Sequence, residues 1–201
     1  MASRQVSLIV GTVAAVAALI ATTALIAARA SSGPVLSPPD APVFVVDAGT
    51  AVSVPPGSRL AWDWGQEAVL SSRALDAAPT DYDAIRLPAP ASEATQFVSF
   101  IAAPGDERTP GSWKGWADRY SFDADRSGVL MPDITPYTMI NGAELSSVRR
   151  LGGTFSAGVA YTKDNGQTVV SAYYTTITVE PGGTWSFSTP AGLATTPPPQ
   201  K

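Results

Sequence analysis

The chain has 201 residues, a length that suits one ordinary domain with short attachments, and its 13 basic and 17 acidic side chains give a net charge of −4. This acidic balance disfavours a nucleic-acid partner, because binding of the phosphate backbone requires a basic stripe and the one adjacent basic pair, Arg149-Arg150, is expected in a solvated loop. The sequence contains no histidine and no cysteine, which excludes Ser-His-Asp and Cys-His catalysis, thiol redox chemistry, and zinc sites with histidine or thiolate ligands.

An apolar segment comes first along the chain. Residues 7–28 carry no charged side chain, and at about 1.5 Å per residue they form a helix long enough to cross a hydrocarbon core of about 30 Å. We therefore expect residues 1–30 to be a single-pass transmembrane anchor, with the rest of the chain extracytoplasmic. The alternative is a signal peptide that is cleaved near Ala30 to give a secreted protein, since small residues flank Arg29 there. The length of the apolar run and the arginine in the cleavage site favour the anchor.

Proline-rich segments flank the central part of the chain. Residues 31–42 contain four prolines and three serines, which predicts an extended linker, because proline sustains neither a helix interior nor a central strand. Residues 191–201 end in Thr-Thr-Pro-Pro-Pro-Gln-Lys and predict a disordered or polyproline-like tail. Residues 43–190 then form one folded domain.

Runs of β-branched and aromatic residues alternate with turn residues in this domain, which predicts a mainly β fold. The predicted strands are 43–46, 50–54, 59–64, 95–101, 154–161, 168–179 and 184–187. Asn165-Gly166 suits a tight turn with positive φ, so the strands on either side should form an antiparallel hairpin. Residues 65–78 predict one short helix, and residues 103–153 predict long loops or an irregular edge.

The predicted strand 168–179 alternates between an apolar and a more polar face. Tyr173, Thr175, Ile177 and Val179 fall on one face and Tyr174, Thr176 and Thr178 on the other. We expect the first face to contact a core and the second to face water.

The C-terminal part of the domain is similar to a known type of module. Three segments, Gly152–Thr162 with the Asn-Gly hairpin, Tyr173–Val179 and Gly183–Pro190, resemble the closing strands of immunoglobulin-like modules in surface proteins of high-GC Gram-positive bacteria. The resemblance covers residues 152–190 and implies an immunoglobulin-like antiparallel sandwich that serves as a spacer or adhesive unit. It supplies no catalytic residue. The chain departs from the pattern because it lacks a cysteine pair and a sorting signal.

One segment matches the first half of a calcium loop. In Asp123-Ala124-Asp125-Arg126-Ser127-Gly128, oxygen-bearing side chains alternate before a glycine. Asp123, Asp125 and Ser127 are therefore candidate Ca²⁺ ligands, although calcium needs about 6–8 oxygens and this run offers three side chains. The alternative is an Asp/Ser/Gly-rich turn. No other cofactor is predicted.

Aromatic residues give the second candidate site. Trp113, Trp116 and Tyr120 lie in a glycine-containing, loop-like segment, where exposed rings stack on sugars or anchor protein interfaces. The alternative for each ring is core packing. A carboxylate cluster, Asp81 and Asp83 with Asp76 upstream, could serve glycoside hydrolysis if the fold set two of these carboxylates at a suitable separation, but solvated loop acids are the competing interpretation.

These observations lead to three functional hypotheses. The first is a membrane-tethered, non-enzymatic surface protein with an immunoglobulin-like domain for adhesion, binding or assembly, whose partner is a protein or glycan on the outer side. The second is a carbohydrate-binding module or a glycoside-active protein that uses aromatic platforms and Asp/Glu side chains. The third is a phage-encoded virion or host-surface protein. A groove lined by aromatics with two facing carboxylates would favour the second hypothesis, and a smooth sandwich with buried tryptophans would favour the first.

Overall fold

The computed structural model of the chain describes residues 38–63, 65–117, 120–122 and 125–190. It shows a mainly β domain with antiparallel strands and one short α-helix among these residues. The predicted anchor at 1–30, most of the predicted linker and the predicted tail at 191–201 lie outside the described residues. Within the described ranges, no helix is both long enough and apolar enough to span a membrane.

Nine strands in the described residues form two sheets. The smaller sheet has the order β2-β1-β3, and the larger has the order β5-β4-β7-β8-β9, with β6 also paired to β4. The strands are β1 (Phe44–Asp47), β2 (Val52–Ser53), β3 (Ala68–Ser71), β4 (Gln96–Ala102), β5 (Gly115–Trp116), β6 (Tyr120–Ser121), β7 (Gly153–Lys163), β8 (Thr168–Val179) and β9 (Trp185–Phe187). Short 3₁₀-helices cover Tyr82–Ala84, Pro110–Ser112 and Pro136–Thr138.

The predicted hairpin is confirmed by the pairing of β7 with β8. Its turn contains Asp164, Asn165 and Gly166, with φ angles of 53°, 58° and 81°. Asparagine, aspartate and glycine adopt this left-handed region at low cost, so the sequence of the turn sets the register of the two longest strands.

Side chains of both sheets meet in the main core. Val45 of β1 and Leu70 of β3 belong to the same buried cluster as Ile101, Val159 and Ile177 of the larger sheet. The predicted core face of β8 is confirmed, because it contributes Tyr173, Ile177 and Val179 to this cluster. On the other face Thr176 and Thr178 are exposed as expected, but the expectation for Tyr174 is wrong, because it is 7% exposed and packs in a second cluster. The smaller sheet is buried on its other face as well, where Val46 and Val69 pack with Ile85.

The larger sheet carries a second, smaller cluster on its opposite face, here called the outer face. It consists of Val98, Phe100, Ala102, Trp113, Ala160, Ala172 and Tyr174. Because alternate residues of a strand point to opposite faces, Val98 and Phe100 lie here while Ile101 faces the main core.

The α-helix is in a different place from the predicted one. The prediction of a helix within 65–78 is wrong, because Ala68–Ser71 forms β3, pairs with β1 and is buried at all four residues. Burial between two packed layers outweighs the modest helix propensity of that segment. The observed helix, α1 (Gly142–Leu151), lies within the region expected to be loops. It buries Leu145 and Val148, which are three residues apart on one helical face.

Arg149 and Arg150 belong to the last turn of α1 and not to a loop. Both side chains are exposed, and a cation in this position interacts favourably with the helix dipole. Helix end effects thus account for this basic pair without a ligand.

Candidate binding pocket on the outer face

A buried carboxylate fixes the loop that follows β4. Glu107 is 1% exposed. Its carboxylate accepts hydrogen bonds from the Gly105 backbone N–H, at 3.0 and 3.1 Å to its two oxygens, and from the Ser156 hydroxyl at 2.7 Å. Ser156 belongs to β7, so these bonds attach the loop to the middle of the larger sheet.

The same loop carries Trp113 onto the outer face. The Trp113 indole N–H donates to the Glu107 carbonyl oxygen at 3.3 Å. Its ring stacks on Phe100 with a centroid distance of 4.9 Å and an interplanar angle of 14°, a geometry in the favourable range for aromatic pairs. With 6% exposure, Trp113 is a fixed wall and not a freely exposed platform.

Trp116 is the more accessible of the two tryptophans. It lies in β5 opposite Phe100 of β4 and is half-buried. It also forms an isolated bridge with Ile140, whose backbone N–H donates to the Trp116 carbonyl oxygen at 2.7 Å. This bridge brings the next residue, Asn141, beside the two tryptophans.

Together these elements enclose a pocket of about 350 Å³, here called the outer pocket. Its lining residues are Val98, Pro110, Gly111, Trp113, Trp116, Asn141, Gly166 and Gln167. Gly166 and Gln167 come from the end of the β7–β8 turn, where the Gln167 backbone N–H donates to the Asp164 carbonyl oxygen at 3.3 Å. Four separate parts of the chain thus converge on one concavity.

The polar groups of the outer pocket are amides. The Asn141 side-chain NH₂ has one long contact, 3.5 Å to the Trp113 carbonyl oxygen. The Gln167 side chain is exposed. None of the eight lining residues has an ionisable side chain. The pocket can therefore offer aromatic surface and neutral hydrogen-bonding groups, but it has no side chain suited to proton transfer.

Tyr120 does not join the tryptophans. It pairs with Phe97 in the β4–β6 ladder and stacks on that ring at a centroid distance of 5.3 Å. Phe97 packs against the main core, so both rings lie on the inner side of the larger sheet. Tyr120 is 53% exposed and lines a separate groove of about 310 Å³ with Leu130 and Ile140. Of the three predicted contact residues, only Trp113 and Trp116 share one pocket.

The candidate calcium segment is described in part, because Asp123 lies outside the described residues. Asp125 is exposed, and its carboxylate accepts a hydrogen bond from the Ser127 backbone N–H at 3.1 Å. Hydrogen bonds from the Ser127 backbone and hydroxyl, followed by the charge of Arg86, lower the pKa of Asp125. Over the described ranges, no three Asp or Glu side chains are grouped around a common point. The calcium loop stays a prediction.

The other carboxylate pair is not near the aromatic residues of the outer pocket. Asp81 and Asp83 line a surface depression of about 590 Å³ together with Arg73 and Arg86. Asp83 forms an ion pair with Arg86 at 3.2 Å. Asp81 and Asp83 thus share this depression with two arginines, and no aromatic residue lines it.

Sequence reasoning did not identify Glu107, Asn141 or Gln167. Gln167 directly follows the Asn-Gly turn, so the sequence predicts its position at the end of a hairpin. The sequence does not predict that it lies near Trp116. Asn141 has a φ of 77°, and asparagine tolerates this left-handed conformation better than most residues. Asn141 directly precedes the helix Gly142–Leu151, so this conformational preference is a local sequence signal for the start of the helix.

Comparison of the chain with protein-family models, with curated protein sequences and with solved structures finds no match.

Proposed function

We propose that this chain is a membrane-tethered, non-enzymatic surface protein whose immunoglobulin-like β-sandwich is a binding module. The observation that carries the proposal is the outer pocket, in which Trp113 and Trp116 line a concavity of about 350 Å³ that has no ionisable side chain. Aromatic side chains combined with polar groups in one concavity are a feature of ligand-binding sites. Hydrolysis of a glycoside would require two positioned carboxyl groups, and the lining supplies none.

The sandwich assignment is supported by the layers of the domain. Two antiparallel sheets share one core cluster, as the inner faces of two packed sheets do in a sandwich. The resemblance of residues 152–190 to immunoglobulin-like modules agrees with this arrangement.

The way the chain enters the domain supports a tether at its amino end. The Asp40 backbone N–H donates to the Ala172 carbonyl oxygen at 3.0 Å, and the Asp40 carboxylate accepts from the Ala172 N–H at 2.6 Å. The same carboxylate forms an ion pair with Arg108 at 2.7 Å. The first described residues therefore lie along β8, whereas Trp116 lies in β5, which is separated from β8 by β4 and β7.

The other end of the domain leaves beside the same strand. The Ser188 backbone N–H donates to the Thr176 carbonyl oxygen of β8 at 3.0 Å. Both ends of the described domain thus lie near β8, whereas β5, which carries Trp116, pairs with β4 on the other side of the sheet.

Cell fractionation of the full-length chain with a C-terminal tag tests the proposal. We expect the tag in the membrane fraction, an intact mass, and removal of the tag by protease added to whole cells. A soluble product that begins near Ser31 would replace the anchor by a cleaved signal peptide and make the protein secreted. A tag that is protected until lysis would overturn the surface location.

A further inference from the structure

We infer that the outer pocket binds an uncharged sugar unit of a glycan, with the sugar ring against Trp116 and its hydroxyls on Asn141 and Gln167. This inference rests on the proposed binding function and names the ligand class for the same site. It follows from the size, the rigidity and the chemistry of the pocket.

The size of the pocket limits the ligand. A volume of about 350 Å³ lies at the lower end of the roughly 300–1,000 Å³ that ligand clefts span. One or two rings fill such a space, whereas a folded protein surface could contact only its rim. Val98, Pro110 and Trp113 contribute apolar side chains to its lining.

The pocket is built before any ligand arrives. Trp113 is held from below by its stack on Phe100 and at its edge by the bond to the Glu107 carbonyl oxygen. Glu107 is in turn held by Ser156 of β7. Because Trp113 is already fixed, this part of the lining loses little conformational entropy on binding, which favours recognition of a small ligand.

The chemistry of the lining requires a ligand that is apolar on one side and polar on another. A sugar ring presents C–H groups on a face and hydroxyl groups at its edge. Trp116 is half-buried, so part of its ring can contact such a face. The side-chain amides of Asn141 and Gln167 each offer two donors and one acceptor carbonyl to hydroxyls. A purely apolar ligand would cover these amides without replacing their bonds to water, which is unfavourable.

The absence of ionisable lining residues selects against charged sugars. Sulfated or carboxylated units are usually bound by arginine or lysine. The nearest basic residue in sequence, Lys114, is engaged with Glu144 at 3.3 Å, and it does not line the pocket. Binding should therefore be insensitive to ionic strength, because screening by salt acts on charge–charge attraction.

The test is isothermal titration calorimetry on the full-length chain in a sugar-free detergent. The probes are neutral gluco-, manno- and N-acetylglucosamine oligosaccharides at millimolar concentration, with heparin-derived and hyaluronan oligosaccharides as charged comparisons and an uncharged oligopeptide as a further comparison. We expect saturable binding of at least one neutral sugar, unchanged between low and physiological salt. Preferential, salt-sensitive binding of a charged oligosaccharide, or binding of the peptide alone, would overturn the inference.

Variants locate the binding. Trp116→Ala should weaken affinity at least about tenfold, and Gln167→Ala about threefold to tenfold through loss of one neutral hydrogen bond. Gln167 is exposed, so its truncation should leave thermal stability unchanged. Trp116→Phe keeps an aromatic face and should retain most of the affinity if Trp116→Ala proves unstable. The control is Tyr120→Ala, which removes an exposed aromatic ring on the inner side of the sheet. This variant should bind the sugar normally.

The result is separable from the test of the proposed function. A surface-exposed, membrane-bound protein that binds none of the neutral sugars would overturn the ligand assignment and leave the tethered module intact. A protein that binds sugar but is protected inside cells would overturn the location and leave the pocket assignment intact. Equal loss of binding in Trp116→Ala and Tyr120→Ala would show that the sugar lies elsewhere.

Discussion

Replacing Ser156 by alanine should loosen the attachment of the loop that carries Trp113. The Ser156 hydroxyl donates to the Glu107 carboxylate at 2.7 Å, and both residues are buried, at 2% and 1% exposure. In Ser156→Ala the carboxylate keeps only the Gly105 backbone N–H among its observed hydrogen-bond donors. A buried carboxylate that loses a donor is poorly compensated, because water cannot replace the bond easily.

The magnitude follows from the type of bond. Hydrogen bonds to charged groups contribute about 1.5–3 kcal/mol, so the free energy of unfolding should fall by about 2 kcal/mol. For a domain of roughly this size, 1 kcal/mol corresponds to about 2–4 °C in Tm, so the midpoint should fall by about 4–8 °C. The slope of the urea transition should not change, because the surface exposed on unfolding is the same.

A double-mutant cycle in urea, followed by tryptophan fluorescence, isolates the interaction. The partner variant is Glu107→Ala, and in that background the further change Ser156→Ala should cost almost nothing. We expect an interaction energy of about 1.5–3 kcal/mol between the two positions. The reasoning would be refuted if the serine substitution were equally destabilising with and without Glu107, since the hydroxyl would then act through packing alone.

Two further predictions concern the paired strands of the hairpin and the outer cluster. Gly158→Ala should destabilise the domain by about 3 kcal/mol in the same urea assay, because a Cβ at this position would lie 2.2 Å from the Tyr173 carbonyl oxygen. The control is Gly111→Ala, which should be neutral because a Cβ at position 111 meets no atom within 4 Å. Burial, with a smaller effect of the Glu107 charge, raises the pKa of Tyr174 from 10.0 to about 12, so the folded state favours the neutral phenol. The contribution of Tyr174 to the free energy of unfolding should be fully present below about pH 10 and should be lost as the pH rises through about 12. In denaturation curves recorded across that range, Tyr174→Phe should therefore make the decline in the free energy of unfolding shallower. An unchanged profile would contradict the assignment.

Local patterns in the sequence were sufficient for the long strands. Alternation over 168–179 and the turn at Asn165-Gly166 act over neighbouring residues, and β7, β8 and the core face of β8 formed as these patterns indicated. Where the local pattern was ambiguous, the prediction was wrong. Residues 68–71 have moderate helix propensity but became a strand, because pairing with β1 and burial on both faces decided their conformation.

The helix Gly142–Leu151 shows the opposite case. Leu145 and Val148 have helical spacing, Glu144 lies in the first turn, and two arginines lie in the last, which are ordinary helix signals. The surrounding glycines, prolines and aspartates obscured them. Gly115 explains why the helix can pack there: a Cβ at that position would lie within 2.9 Å of three atoms of the Leu145 side chain. The sequence contained both residues, but it did not show that they touch.

The sequence by itself determined the chemistry that this chain lacks and the residue types that it offers. The absence of histidine and cysteine excluded the chemistry that needs them, and the tryptophans in a loop-like segment indicated a candidate contact site. Only the tertiary structure decided which residues act together. Val98, Trp116 and Gln167 come from three separate segments, and the pairing of β4 with β5 and β7 brings them to one pocket while placing Tyr120 on the other side of the sheet. The physical reason is that strand alternation and long-range pairing assign each side chain to a face, and these pairings depend on the packing of the whole domain.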